Sequence, residues 1–150
     1  MSDKVFKESG AIQVLSIQMS KQGVNEFTLA NNEILLAVFC QGRGDVTFSE
    51  KKIFAVEKEY VMICGGIGRN EISVCTEDLP ESQVILVVLT GICMPEKMKR
   101  GCLRNQSSKI VSMLIREIGE KQFGYVSNCE SLINMLLILL HRECNQAEER

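Results

Sequence analysis

Hydrophobic residues change their rhythm once along this chain. From about residue 25 to 89 they fall in short runs separated by turn chemistry, with no sustained 3.6-residue period; from about 107 onward the period is helical. The first part predicts strands. Residues 33–41 form a run rich in Leu, Ile, Val and Phe, which ends at Gln41-Gly42-Arg43-Gly44-Asp45, where glycines allow a tight turn. Val46-Thr47-Phe48 resumes a strand, Glu50-Lys51-Lys52 is a charged turn into 53–56, and Glu57-Lys58-Glu59 is another into 60–64. After the corner Gly65-Gly66-Ile67-Gly68 come 71–75 and 84–89, with a polar loop at 77–82 between them. An earlier strand, 11–19, joins one edge, with Ile12, Val14 and Ser16 on one side. Strands at this regular spacing predict an all-β barrel or sandwich.

Two helices follow. The first runs from about 107 to 121, with an apolar stripe of Ile110, Val111, Leu114, Ile115 and Ile118, and it needs one hydrophobic neighbour. Phe123-Gly124-Tyr125 makes the turn, Gly124 supplying the positive φ that ends a helix, and Ser127 to Glu130 reads as a capping box for the second. In that second helix Leu132, Ile133, Leu136, Leu137 and Leu140 make one buried face, and Met135, Ile138 and Leu139 fill most of the face that should be wet. Such a helix needs two neighbours. One is the rest of the domain; the other is expected to be a second copy of the protein, met through Met135, Ile138 and Leu139. Arg142 suits the end of that helix, where positive charge complements the dipole.

A length of 150 residues suits one domain, and 17 Lys and Arg against 19 Asp and Glu leave no electrostatic footprint for a polyanion. Nucleic-acid binding by this stretch alone is disfavoured. Its apolar runs are all far shorter than the roughly 20 residues that cross a bilayer. The opening Met1-Ser2-Asp3-Lys4 lacks a secretion signal, so a cytoplasmic location and no membrane partner are expected. Cysteines at 40, 64, 75, 93, 102, 129 and 144 form no paired framework and fit a reducing compartment. Cys102, between Arg100 and Arg104, has the setting of a reactive thiol.

Catalytic chemistry is thin. The one histidine, His141, reads as a surface residue near a helix end, and the cysteines lack zinc-site spacing. The Gly65 to Gly68 cluster has no helix opening after it, so it reads as a barrel corner rather than a phosphate loop. Glu50, Glu57, Glu59, Glu77, Asp78 and Glu81 fall in turns as solvated charge, and Lys97, Lys99, Arg100 and Arg104 read as a solvated linker bracketed by Pro95 and Gly101. No enzyme activity and no metal or other cofactor are expected.

The run from Glu33 to Gly44, the strand ending at Gly65-Gly66, and the hairpin carrying Ile110, Leu114, Ile115, Phe123-Gly124-Tyr125 and the leucines after 132 together resemble the amino-terminal domain of AraC-type transcription regulators, a cupin-like domain. The resemblance covers the chain from about residue 25 onward. It implies a mainly β fold with α: a cupin-like barrel (jelly roll) over 1–95, an antiparallel helical hairpin for dimerisation over 96–144, and the start of a linker at 145–150. Laying the metal-binding motifs of cupins onto the chain, with the first closing at Gly42, puts ligand positions near Leu29, Asn31, Leu35 and Asn70. Those residues offer only weak amides, so a metal-dependent cupin reaction is disfavoured and a binding barrel remains. The resemblance then points to a small-molecule effector inside the barrel, lined by Leu35, Ala37, Phe39, Gln41, Tyr60, Met62, Asn70, Ile72 and Val74, with Cys64 beside them. It also implies a homodimer, and a helix-turn-helix DNA-binding part outside this chain. The alternative is a stand-alone metal-free cupin that binds small molecules or carbohydrate.

Overall fold

The computed structural model describes residues 7–21, 23–68, 70–77, 82–94 and 96–148, with 7–11 and 144–148 described by their backbone alone. In chain order its elements are β1 (Lys7–Ser20), β2 (Gly23–Leu29), β3 (Ile34–Gln41), β4 (Arg43–Phe48), β5 (Lys51–Val56), β6 (Glu59–Cys64), β7 (Asn70–Thr76), β8 (Gln83–Cys93), β9 (Met98–Cys102), α1 (Asn105–Glu120) and α2 (Tyr125–Glu148). All strand pairs are antiparallel. They make a large sheet in the order β1-β8-β3-β6-β9 and a small sheet in the order β2-β7-β4-β5. Among the described residues no helix is long and apolar enough to cross a membrane.

Two apolar clusters hold the layers together. One lies between the sheets and includes Leu35, Ala37, Phe39, Val46, Val61, Ile63, Ile72, Val74 and Leu86. The other lies between the large sheet and the helices and includes Ile34, Leu36, Val38, Tyr60, Met62, Val87, Leu114, Ile133, Leu136 and Leu140. The large sheet is therefore covered on both faces, which is why β3 is buried at every position from Ile34 to Phe39 and reads as an unbroken apolar run. The small sheet is covered on one face. Its β5 alternates accordingly, with Ile53 and Ala55 buried and Lys52, Phe54 and Val56 exposed.

The two sheets meet at one edge through a side chain. Arg100 Nη2 on β9 donates to the Phe54 carbonyl of β5 at 2.9 Å and stands 3.9 Å from Glu59 Oε2. The basic stretch is thus partly a strand of the barrel, which extends beyond the expected boundary at residue 95 to Cys102. Charge hid it. A short edge strand with one solvated side needs little apolar residue to form once a partner, here β6, supplies its hydrogen bonds.

Other expectations shift by small amounts. In β1 the pairing slips between Val14 and Ser16, so Ser16 is exposed while Ile17 and Met19 join the side that carries Ile12 and Val14. The turn expected at 41–45 contracts to Gly42, whose φ is 73°. Ser127 and Glu130 lie inside α2, within its first two turns, because the Gly124 carbonyl already accepts the Asn128 N–H at 3.0 Å. The side-chain cap belongs to α1 instead: Ser107 Oγ accepts the Arg104 N–H at 2.8 Å and donates to Glu143 Oε1 at 2.9 Å, tying the two helices. Lys121, with φ of 51°, ends α1, while Gly124, at 83°, precedes α2. Helix α2 continues through Glu148, so 145–148 is helix rather than linker, and His141 and Arg142 lie within it. Glu59 accepts the Val56 N–H and Glu77 the Arg43 side chain, so these two turn carboxylates also fasten structure. Met1 to Lys4, Asp78, Glu81, Pro95 and the last two residues lie outside the described residues, as does the side chain of Cys144.

The two-cluster arrangement separates phenylalanines by consequence. Phe39→Ala, at a fully buried site between the sheets, is expected to lower stability by about 3–5 kcal/mol. Phe54→Ala, at a side chain 67% exposed, is expected to change it by no more than about 0.5 kcal/mol. Urea midpoints of the two variants check both values.

Candidate ligand-binding groove

The small sheet has one end longer than the other. Strands β2 and β7 continue through Thr28–Glu71 and Leu29–Asn70 after the β4 partner of Ile72, Phe48, has reached the hairpin turn Ser49-Glu50. That turn has positive φ at both residues, 49° and 64°, which suits a two-residue hairpin. The mismatch in length leaves an open groove of about 820 Å³ at this end of the barrel. Phe27, Phe48, Ile63 and Ile72 belong to the inter-sheet cluster and give the groove an apolar floor. Glu26, Thr28, Thr47, Ser49, Glu50, Asn70, Glu71, Ser73, Cys64 and Lys97 complete its lining. A volume of this order with an apolar floor and a few polar groups fits a small-molecule site.

Only part of the sequence-derived site coincides with this groove. Asn70 and Ile72 line it. Leu35, Ala37, Phe39 and Val74 do face the barrel interior, yet each is packed to 1% exposure or less and none borders the groove. Small barrels fill themselves with side chains, and this one does. Tyr60 and Met62 point the other way, into the cluster under the helices. Pairing explains the error: Val38 lies opposite Tyr60 and Leu36 opposite Met62, and directly paired residues share a face. Val61 and Ile63 take the interior instead. Cys64 packs partly against the helix-side cluster and also reaches the groove. Gln41 is exposed, beyond a slip in the β3–β8 pairing after Phe39. Phe27, Phe48 and Lys97 were not foreseen, since nothing short of strand register separates two rim phenylalanines from core ones.

Asn70 organises the rim. Its Nδ2 is 2.9 Å from the Gly66 carbonyl, 3.3 Å from that of Gly68 and 3.4 Å from that of Leu29, so one amide ties the glycine corner to β2. At Gly65 a Cβ would stand 2.3 Å from the Ala30 carbonyl oxygen, and only glycine allows that approach. The corner carries the chain from β6 of the large sheet to β7 of the small one, as the sequence suggested. Lys97 stands on its other side, with Cε 3.7 Å from the position a Gly66 Cβ would take.

The thiols divide by burial. Burial pushes the Cys40 thiol up to about 12. Burial also raises Cys64, with a smaller push from Cys93 and an opposing pull from Lys97, and it raises Cys129, helped by Glu117. Cys93 and Cys102 are exposed.

No family model matches the chain, and no curated protein matches it. Solved structures do. ToxT from Vibrio cholerae, an AraC-family protein, superposes in an apo form with a TM-score of 0.55 at 8% identity, over 95% of this chain and 58% of that one. Its complex with (E)-4-(8-methylnaphthalen-1-yl)but-3-enoic acid gives 0.52 at 9% identity, over 95% and 57%. Its complex with an unsaturated fatty acid gives 0.50 at 8%, over 95% and 56%. The chain shares its fold, a mainly β domain followed by a helical hairpin, with these ToxT structures. At these identities the likeness is one of fold, and at 95% of this chain it takes in the barrel and the helical hairpin together. The chain spans a little over half the length of ToxT.

Two measurements check the site's architecture. Asn70→Ala is expected to cost about 1–3 kcal/mol, because backbone carbonyls at the corner lose their donor. With a thiol reagent at pH 8, Cys93 and Cys102 are expected to react in the native state. Cys40, whose pKa lies above that pH, should stay protonated and react only on unfolding.

Proposed function

We propose that this chain is the ligand-sensing and dimerisation domain of a bacterial AraC-type transcription regulator, non-catalytic and cytoplasmic, whose DNA-binding helices lie outside these 150 residues. The observation that carries the reading is the position of β6. Its Ile63 forms part of the groove floor, while the adjacent Met62, and Tyr60 before it, belong to the cluster under the helices. A ligand that shifts β6 at the groove is thus one residue away from side chains that support the hairpin. Ligand changes the hairpin's arrangement only to the extent that it binds the two arrangements with different affinity. The fold it shares with ToxT, which has been solved with small apolar acids bound, supports a ligand-binding role. The cupin metal positions support a non-catalytic one, because Leu29 and Leu35 stand there as fully buried core.

The dimer part rests on the hairpin's outer face. Met135 is 50% exposed and Ile138 39%, and Met113 of α1 is 49% exposed. Leu139 is half-buried and packs against the helix-side cluster, so a charge there would disturb folding as well as association.

Sedimentation of the chain at tens of micromolar is expected to give a dimer, and the double variant Met135→Glu, Ile138→Glu a folded monomer. A wild-type monomer, or a double variant that stays dimeric, removes this part of the reading. For the sensing part, 1-octanol is expected to raise the melting temperature of the chain by binding the folded state.

A further inference from the structure

We infer that the dimer pairs strand β1 of one copy with β1 of the other, so that the large sheet runs unbroken through the two-fold axis; the inference rests on the proposed dimerisation and says where else the two copies meet. Strand β1 is 14 residues long and outermost in the large sheet, and among the described residues it is paired with β8 alone. Its outer edge therefore presents N–H and C=O groups that a further strand can take. Other outermost strands carry charge: Lys51 and Lys52 on β5, Lys99 and Arg100 on β9, Glu26 on β2. From Ser9 to Ser20, β1 has no charged residue and no proline. Nothing in its sequence keeps another strand away.

The slip in β1 fixes the register. Ile12, Val14, Ile17 and Met19 pack towards the helices, while Ser16 and Gln18 lie opposite Val88 and Leu86 of the inter-sheet cluster and so belong to the other face. Gln13, between Ile12 and Val14, shares that other face. An antiparallel copy centred between Leu15 and Ser16 sets Ile12 against Met19 and Val14 against Ile17 on the helix side, and Gln13 against Gln18 on the other. Directly opposed residues must share a face, and here they do so on both sides of the slip. A shift of one residue sets Val14 against Ser16 and Ile12 against Gln18, which belong to opposite faces.

A cleft between β1 and α2 supplies the room. About 350 Å³ lies open there, lined by Ile12 and Val14 of the strand and by Ser127, Glu130, Ser131 and Asn134 of the helix. In this register Met19 and Ile17 of a second copy come to the two strand residues of the lining, so four side chains that are half-buried in one copy gain cover in two. Ser127, Ser131, Asn134 and Ile138 follow the i, i+4, i+7, i+11 spacing of one helix face. The wall of the cleft thus leads to Ile138, one of the residues assigned to the dimer, and strand edge and helix face form one continuous surface.

The test compares two double variants of the full chain by sedimentation equilibrium at low ionic strength. Gln13 and Gln18 are exposed, so a charge at either is tolerated by a single copy. Gln13→Lys with Gln18→Lys sets like charges opposite each other twice across the axis, and Gln13→Lys with Gln18→Glu sets opposite charges there twice. The first is expected to dissociate about fivefold or more readily than the second, and high salt is expected to narrow the gap. Global charge works against this result, since two added lysines take the formal net charge from −2 to zero and lessen the overall repulsion between copies. A wild-type dimer whose two variants dissociate alike overturns the strand pairing and leaves the helix-face dimer standing. A wild-type chain that sediments as a monomer overturns both.

Discussion

Burial of the large sheet on both faces is the constraint on which the rest of this structure depends. Strand β3 has no wet side: Ile34, Leu36 and Val38 serve the helices, and Leu35, Ala37 and Phe39 serve the second sheet. Each of these side chains except that of Ala37 contributes about 1.5–3 kcal/mol when taken from water, so neither covering layer is dispensable. The helical hairpin is thus as much part of the domain's core as the small sheet is. The amphipathic α1 and the broadly apolar α2 follow from it, since one helix face must meet the sheet while the two helices also meet each other.

Much of this was legible because periodicity reports burial. The strands β3 to β8 and the two helices stand where their apolar patterns placed them, to within a few residues. What stayed hidden has a physical cause in each case. Strand β2, with Phe27 and Leu29 as its inward residues, carries too little apolar signal to stand out, and β9 is dominated by Lys99 and Arg100. The slip after Val14 reverses a phase that simple alternation extrapolates wrongly. The faces of β6 were misassigned for a related reason: a fully buried strand is apolar at both parities, so Tyr60 and Met62 look no different from Val61 and Ile63 until the pairing with β3 is known. The same double burial that made the strand easy to find made its direction unreadable.

The site was less legible than the fold. The resemblance to cupins implies an interior pocket, but leucines such as Leu29 and Leu35 in a closed interior pack against their neighbours. Space survives where the strands of one sheet end at different heights. A difference of two residue pairs between β2–β7 and β4–β5 opens the groove, and a length difference between strands leaves no compositional mark. Asn70 stands at a position the resemblance implies and matters for another reason, as the donor that holds the glycine corner.

The contact between Arg100 and the Phe54 carbonyl has a consequence for how copies of this protein behave in a crowded solution. Strands β5 and β9 are the outermost of their sheets, and an outermost strand offers its free backbone groups to any passing chain in need of a partner. Here the guanidinium already occupies one of those carbonyls, and the cationic stretch on β9 makes a second copy of the same strand a like-charged, unwelcome visitor. The residues that read as a solvated linker thereby put charge and an occupied carbonyl on the open seam of the barrel, which disfavours edge-to-edge pairing there.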